Sequence, residues 1–147
     1  MKASQLFGIQ IKCKNGENEG YIMAISRVED KIEGYICCNE QENEFFASSA
    51  GAKINGGTMC AVKTGKRSKG SRNLKLGQPV YGEDGKFIGY VDDYNIASNR
   101  ITGAQVGRRK FSFDRLTIGD VVIVRNDKTR TEIAAKDMFI GAITSTQ

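Results

Sequence analysis

The sequence predicts a mostly β protein made of two small barrels in tandem, followed by a short C-terminal helix. Three observations lead there. Glycines recur at a fixed offset, the dipeptides Asn15-Gly16 and Asp84-Gly85 fall at matching places, and apolar residues alternate with polar ones around them. The 147 residues include 17 glycines and one proline, Pro79, a balance that favours tight turns between strands over Pro-rich spacers.

The repeat appears when residues 4–36 are written above residues 73–105, an offset of 69 that needs no gap. Gly8 then meets Gly77, Gly16 meets Gly85, Gly20 meets Gly89 and Gly34 meets Gly103. Tyr21 meets Tyr90, Ile32 meets Ile101, and Ile11 and Ile22 meet Val80 and Val91. In the first copy Phe7, Ile9, Ile11 and Cys13 alternate with Gly8, Gln10 and Lys12, which reads as a half-buried strand. The Asn-Gly and Asp-Gly pairs suit type I′ hairpin turns, whose central residues need positive φ. The run Phe87 to Val91 reads as a returning strand, with Gly89 marking a bend or a close backbone approach. Ile32 to Cys38 and Ile101 to Val106 read as the next strands.

Further on the copies diverge. Glu44-Phe45-Phe46 and Lys110-Phe111-Ser112-Phe113 read as aromatic strands. Thr58 to Val62 and Val121 to Val124 read as closing strands, preceded by turns at Asn55-Gly56-Gly57 and Ile118-Gly119-Asp120. Five or six short strands per copy are enough to curl into a barrel without free edges. The expected organisation is a first repeat over 1–63, a basic linker over 64–72, and a second repeat plus helix over 73–147. The linker has no apolar residue and is expected to be exposed and mobile. Thr131 to Met138 has the composition of the short helix, with Ile133, Ala134 and Met138 on its apolar side.

The second copy runs from Leu76-Gly77 through Asp84-Gly85 and Gly89-Tyr90-Val91 to Phe113-Asp114-Arg115-Leu116 and Ile118-Gly119-Asp120-Val121-Val122. This pattern resembles the PRC-barrel family, which includes the barrel of the photosynthetic reaction-centre H subunit and the C-terminal region of the ribosome maturation factor. The resemblance covers residues 73–126 directly, and residues 4–63 by way of the repeat. It implies a non-catalytic adaptor barrel that docks on a protein partner.

Composition narrows the chemistry. With no histidine, Ser-His and Cys-His nucleophile pairs are excluded. Cys13, Cys37, Cys38 and Cys60 form no C-x-x-C pair and read as small buried hydrophobes with reduced thiols, with no metal and no cofactor expected. Asp92 and Asp93 are adjacent, so on a strand they face opposite ways, and both read as solvated. No apolar run is long enough for a membrane helix and no secretory pattern opens the chain, so a cytoplasmic location is expected. Residues 1–62 carry 6 basic and 8 acidic side chains, whereas residues 63–72 carry 5 basic and none acidic. Lys66, Arg67, Lys69 and Arg72, with Arg108, Arg109, Lys110 and Arg115, are therefore the candidate contacts to a partner or to nucleic acid. Two functions are expected from these features. The first is a protein-binding adaptor, with a homo-oligomer compatible with it. The second is an RNA- or ribosome-associated factor working through the basic residues.

Overall fold

A computed structural model describes residues 1–126 apart from positions 15 and 17. The described chain is built of β-strands joined by turns. In order they are β1 (Gln10–Cys13), β2 (Glu19–Val28), β3 (Lys31–Cys38), β4 (Glu44–Ser48), β5 (Lys53–Asn55), β6 (Thr58–Ala61) and β7 (Arg72–Asn73). They continue with β8 (Pro79–Gly82), β9 (Phe87–Tyr90), β10 (Asp93–Ala97), β11 (Arg100–Val106), β12 (Arg109–Ser112), β13 (Leu116–Ile118) and β14 (Val122–Val124). Two 3-10 turns occur, at Ala3–Gln5 and Phe113–Arg115. The helix expected over Thr131 to Met138 lies outside the described residues.

The chain divides into two compact units. One comprises Met1–Leu76 with Asp93–Thr102, and the other Gly77–Asp92 with the chain from Gly103 onward. The boundary falls inside β11, and the basic segment belongs to the first unit.

In the first unit the strands run β4-β3-β2-β1-β6-β5, antiparallel throughout except for the parallel pair β1–β6. Ile11, Ile22, Ile25, Ile32, Tyr35 and Met59 lie in the core; Ile22 with Ile25, and Ile32 with Tyr35, share it although three apart because the β2–β3 register shifts between each pair. Gly34 is required by close packing: a Cβ there would stand 2.3 Å from the Phe46 ring and 2.5 Å from the Ala47 carbonyl oxygen. The hairpin of β10 and the start of β11 belongs to this unit and is hydrogen-bonded to it near its turn. Ile32 N–H donates to Asn99 O (2.9 Å) and Ile101 N–H donates to Asp30 O (2.6 Å). Asp93 is also held here: its carboxylate accepts the Ser4 backbone N–H at 3.0 Å and the Ser4 hydroxyl. Asp93 is therefore buried, at 7% exposure, and not solvated as expected. Asp92, facing the other way, is exposed and accepts the Gly107 N–H at 2.6 Å within the second unit.

The second unit contains the sheet β13-β14-β8-β9 and the hairpin formed by the Gly103–Val106 part of β11 with β12. Its core holds Val80, Val91, Val106, Phe111, Leu116 and Val122. Several of its registers reproduce those of the first unit 69 positions on. Ile11 lies opposite Gly20 in β1–β2, and Val80 opposite Gly89 in β8–β9. Gly8 N–H donates to Ile22 O at 2.8 Å, and Gly77 N–H to Val91 O at 2.8 Å. Gly8 and Gly77 have φ of 82° and 85°. The parallel pair β1–β6 has a parallel counterpart in β8–β14.

Three expectations need correction. Closed barrels do not form among the described residues, because no continuous ladder joins the sheet ends. In the first unit the gap between β4 and the chain after β6 carries a single bridge, Ala47 with Thr64, flanked by Ser48 N–H to Lys63 O (3.1 Å). The strand pairing stops at Ala61, since Val62 turns outward. The turn at Asp84-Gly85 is not type I′: only Gly85 has a positive φ, and its N–H closes a turn onto Gly82 O at 3.0 Å. Two-residue turns with both φ positive occur instead at Gly56-Gly57, at 61° and 80°, and at Ser98-Asn99, at 51° and 59°. The basic segment is exposed but tethered. Ser68 N–H donates to Glu33 Oε1 at 3.1 Å, Leu74 N–H donates to Ile25 O at 2.8 Å, and β7 pairs with β2.

Candidate interaction surfaces

An aromatic cluster marks the outer face of β8 and β9. The Phe87 ring stands edge-on to Tyr81 at 5.6 Å between centroids and to Tyr90 at 5.2 Å. Phe87 is 52% exposed and Tyr90 is 59% exposed. Phe87 and Tyr90 are three residues apart, so simple alternation would put them on opposite faces. The β8–β9 register is Pro79 with Tyr90, Val80 with Gly89, then Tyr81 with Phe87, which leaves Ile88 as an extra residue. This bulge turns Phe87 back to the outer side, where it joins Tyr90 and Tyr81. β9 is also the last strand of its sheet, so its outer edge has no ladder partner in that sheet.

The sequence did not single out these aromatics. The run Phe87 to Val91 was legible as a strand, but the bulge that gathers its rings was not. The available signal was Gly85 followed by a glycine at 89 within a four-residue strand, which indicates irregular pairing.

The basic candidates fall into two groups, one on each unit. Lys66, Arg67, Lys69 and Arg72 are exposed on the first. Arg67 Nε donates to Ser71 Oγ at 3.1 Å, and Arg72 donates to the Ser71 carbonyl at 3.3 Å. Glu33 organises this group. Burial alone would raise its pKa, but hydrogen bonds from Ser68 and Ser26 and the nearby Arg67 charge outweigh that and hold it below its ordinary value. On the second unit Arg108, Arg109 and Lys110 are exposed around the β11–β12 turn. The Arg109 guanidinium lies 4.8 Å from the centroid of Phe111, and that of Arg115 lies 5.6 Å from it. Arg115 is half-buried and donates to the Arg125 carbonyl at 2.8 Å, so part of its capacity serves the fold. Phe111 itself is buried, so this pairing gives no open stacking surface.

Several clefts open in the first unit. One, of about 520 Å³, is of mixed polarity and is lined by Met1, Leu6, Tyr35, Ile54, Met59 and Ile96 together with Ser98 and Asn99. Another, of about 440 Å³, is lined by Lys12, Lys14, Lys53, Cys60 and Val62. Of the thiols, Cys13 and Cys37 are buried. Burial, reinforced by Cys13, pushes the Cys37 thiol up to about 12. Cys60 is exposed, not buried as expected. Among the described residues no cluster of three or more His, Cys, Asp or Glu side chains is placed to hold a metal ion. No helix there is long and apolar enough to cross a membrane.

Residues 73–138 match the PRC-barrel domain family. The match begins within β7 and includes the aromatic face of β8 and β9. No curated protein matches the chain.

Proposed function

From the PRC-barrel match over residues 73–138, we propose that the chain is a non-catalytic module that binds a protein partner through the aromatic face of β8 and β9. The observation that carries this reading is the mutual edge-on packing of Tyr81, Phe87 and Tyr90 with two of the rings exposed. Exposing two large aromatics together forgoes the gain of burying them, and such clusters mark contact surfaces. Tyr and Phe are enriched at the cores of protein interfaces. The open edge of β9 adds main-chain donors and acceptors that an extended segment of a partner can pair with.

The same proposal extends to the first unit, read as a second copy of the PRC-type module. Its support is the set of registers, hydrogen bonds and φ angles that coincide 69 residues apart. Tyr21, the counterpart of Tyr90, is also exposed, at 49%.

The test is capture of proteins on the immobilised full chain. Phe87→Ser with Tyr90→Ser is expected to weaken retention about thirtyfold or more, as truncating hot-spot aromatics costs roughly 2 kcal/mol or above. Lys66→Gln with Lys69→Gln should retain the same proteins. Equal retention by wild type and the aromatic variant, with matching melting curves, would contradict the reading.

A second reading, RNA association, is favoured by the exposed, tethered array of Lys66, Arg67 and Lys69. It requires RNA binding that falls steeply with salt and weakens in the Lys66→Gln, Lys69→Gln variant.

A further inference from the structure

The cleft of about 440 Å³ in the first unit combines a nucleophile with cations. Its floor is a row across three adjacent strands. Cys60 on β6 is in register with Lys12 on β1 on one side and with Lys53 on β5 on the other. Side chains in register across neighbouring strands share a face, with Cβ atoms about 5 Å apart. All three are exposed, whereas their neighbours Ile11, Met59 and Ala61 point into the core. Lys14, two positions beyond Lys12, reaches the same cleft. Among the described residues no acidic side chain lines it. The nearest in register is Glu19, on the far side of Lys12 from Cys60.

We propose that Cys60 is a thiol–disulfide exchange site selective for anionic low-molecular-weight disulfides. The chemistry is self-contained. The Cys60 thiol gives its proton to solvent and its sulfur attacks one sulfur of the disulfide. A new S–S bond forms to Cys60 and the old one breaks. The departing half leaves as a thiolate and takes up a proton. The disulfide is the oxidant, Cys60 is oxidised and the released thiol is the reduced product. Negative charge is spread over three sulfurs in the transition state. Lys12 and Lys53 flank it, while Lys14 adds to the field that draws an anion in. Cys13 and Cys37 do not compete, because they are buried and Cys37 is pushed up to about 12.

The experiment uses the reduced full-length chain and three disulfides: dianionic dithiobis(nitrobenzoate), neutral dipyridyl disulfide and dicationic cystamine. Modification is followed by intact mass and located by peptide mapping. Relative to the same disulfides reacting with free cysteine, the anionic reagent is expected to be favoured at Cys60 several-fold over the cationic one. That preference should shrink as salt rises, since charge steering is screened over about 10 Å at 0.1 M. Lys12→Gln with Lys53→Gln, both solvent-facing, should remove most of the preference, slowing the anionic reagent several-fold more than the neutral one. Three results would overturn the proposal: a preference identical in wild type and the lysine variant, a preference insensitive to salt, or first modification at Cys38.

Discussion

At the scale of single residues, two positions are fixed by neighbours distant in sequence. Gly34 lies beneath the Phe46 ring, and a Cβ would meet both that ring and the Ala47 carbonyl well inside contact distance. The carbonyl belongs to the paired strand and cannot move aside cheaply. Gly34→Ala is therefore expected to destabilise the fold by about 1–3 kcal/mol, read from urea denaturation midpoints. Asp93 shows the complementary case of a buried carboxylate. It accepts from the Ser4 backbone and side chain and from the Tyr94 N–H at 2.9 Å. Asp93→Ala leaves those donors without their acceptor, so a loss of about 1–3 kcal/mol is expected. Ser4→Ala should cost less, because the backbone N–H donor remains, and the two changes should be non-additive in a double-mutant cycle.

At the scale of elements, legibility in the sequence depended on whether the determinant was local. The strands β1, β3, β9 and β11 were visible because glycine spacing and alternation are properties of short windows. Burial of Asp93 was not visible, since its partner Ser4 is 89 residues away. The bulge at Ile88 was hidden for another reason: it is a property of the β8–β9 pair and not of either strand alone. The tether of the basic segment belongs to the same group. Lys66, Arg67, Lys69 and Arg72 could be picked out as exposed cations from composition, but Glu33, which holds Ser68, lies 35 residues upstream. That tether has a pH signature. The Glu33 pKa is lower in the folded chain than its ordinary value of 4.5, so the carboxylate form favours folding. Its contribution is complete above the ordinary value and is lost as pH falls through the lower, folded value. The stability gap between wild type and Glu33→Gln, measured by thermal unfolding, should thus be constant at neutral pH and close below about pH 4.5. A gap that widens on acidification would show that Glu33 is not held by these partners.

At the scale of the molecule, some strand pairings recur 69 residues apart. Both units contain an antiparallel hairpin whose first strand is flanked by a parallel neighbour from later in the same unit. The core of each is set by alternation, while function is argued from what alternation leaves outside. On the second unit that is the ring cluster of Tyr81, Phe87 and Tyr90, and on the first the basic segment and the Cys60 cleft. The proposed partner surface can be probed directly with a photoreactive amino acid placed at Phe87 or at Lys69 in the intact chain, irradiated in its native cell. Docking through the aromatic face predicts protein adducts from position 87 that are absent or far weaker from position 69. Protein-free irradiation products at 87, with RNA adducts at 69, would contradict it.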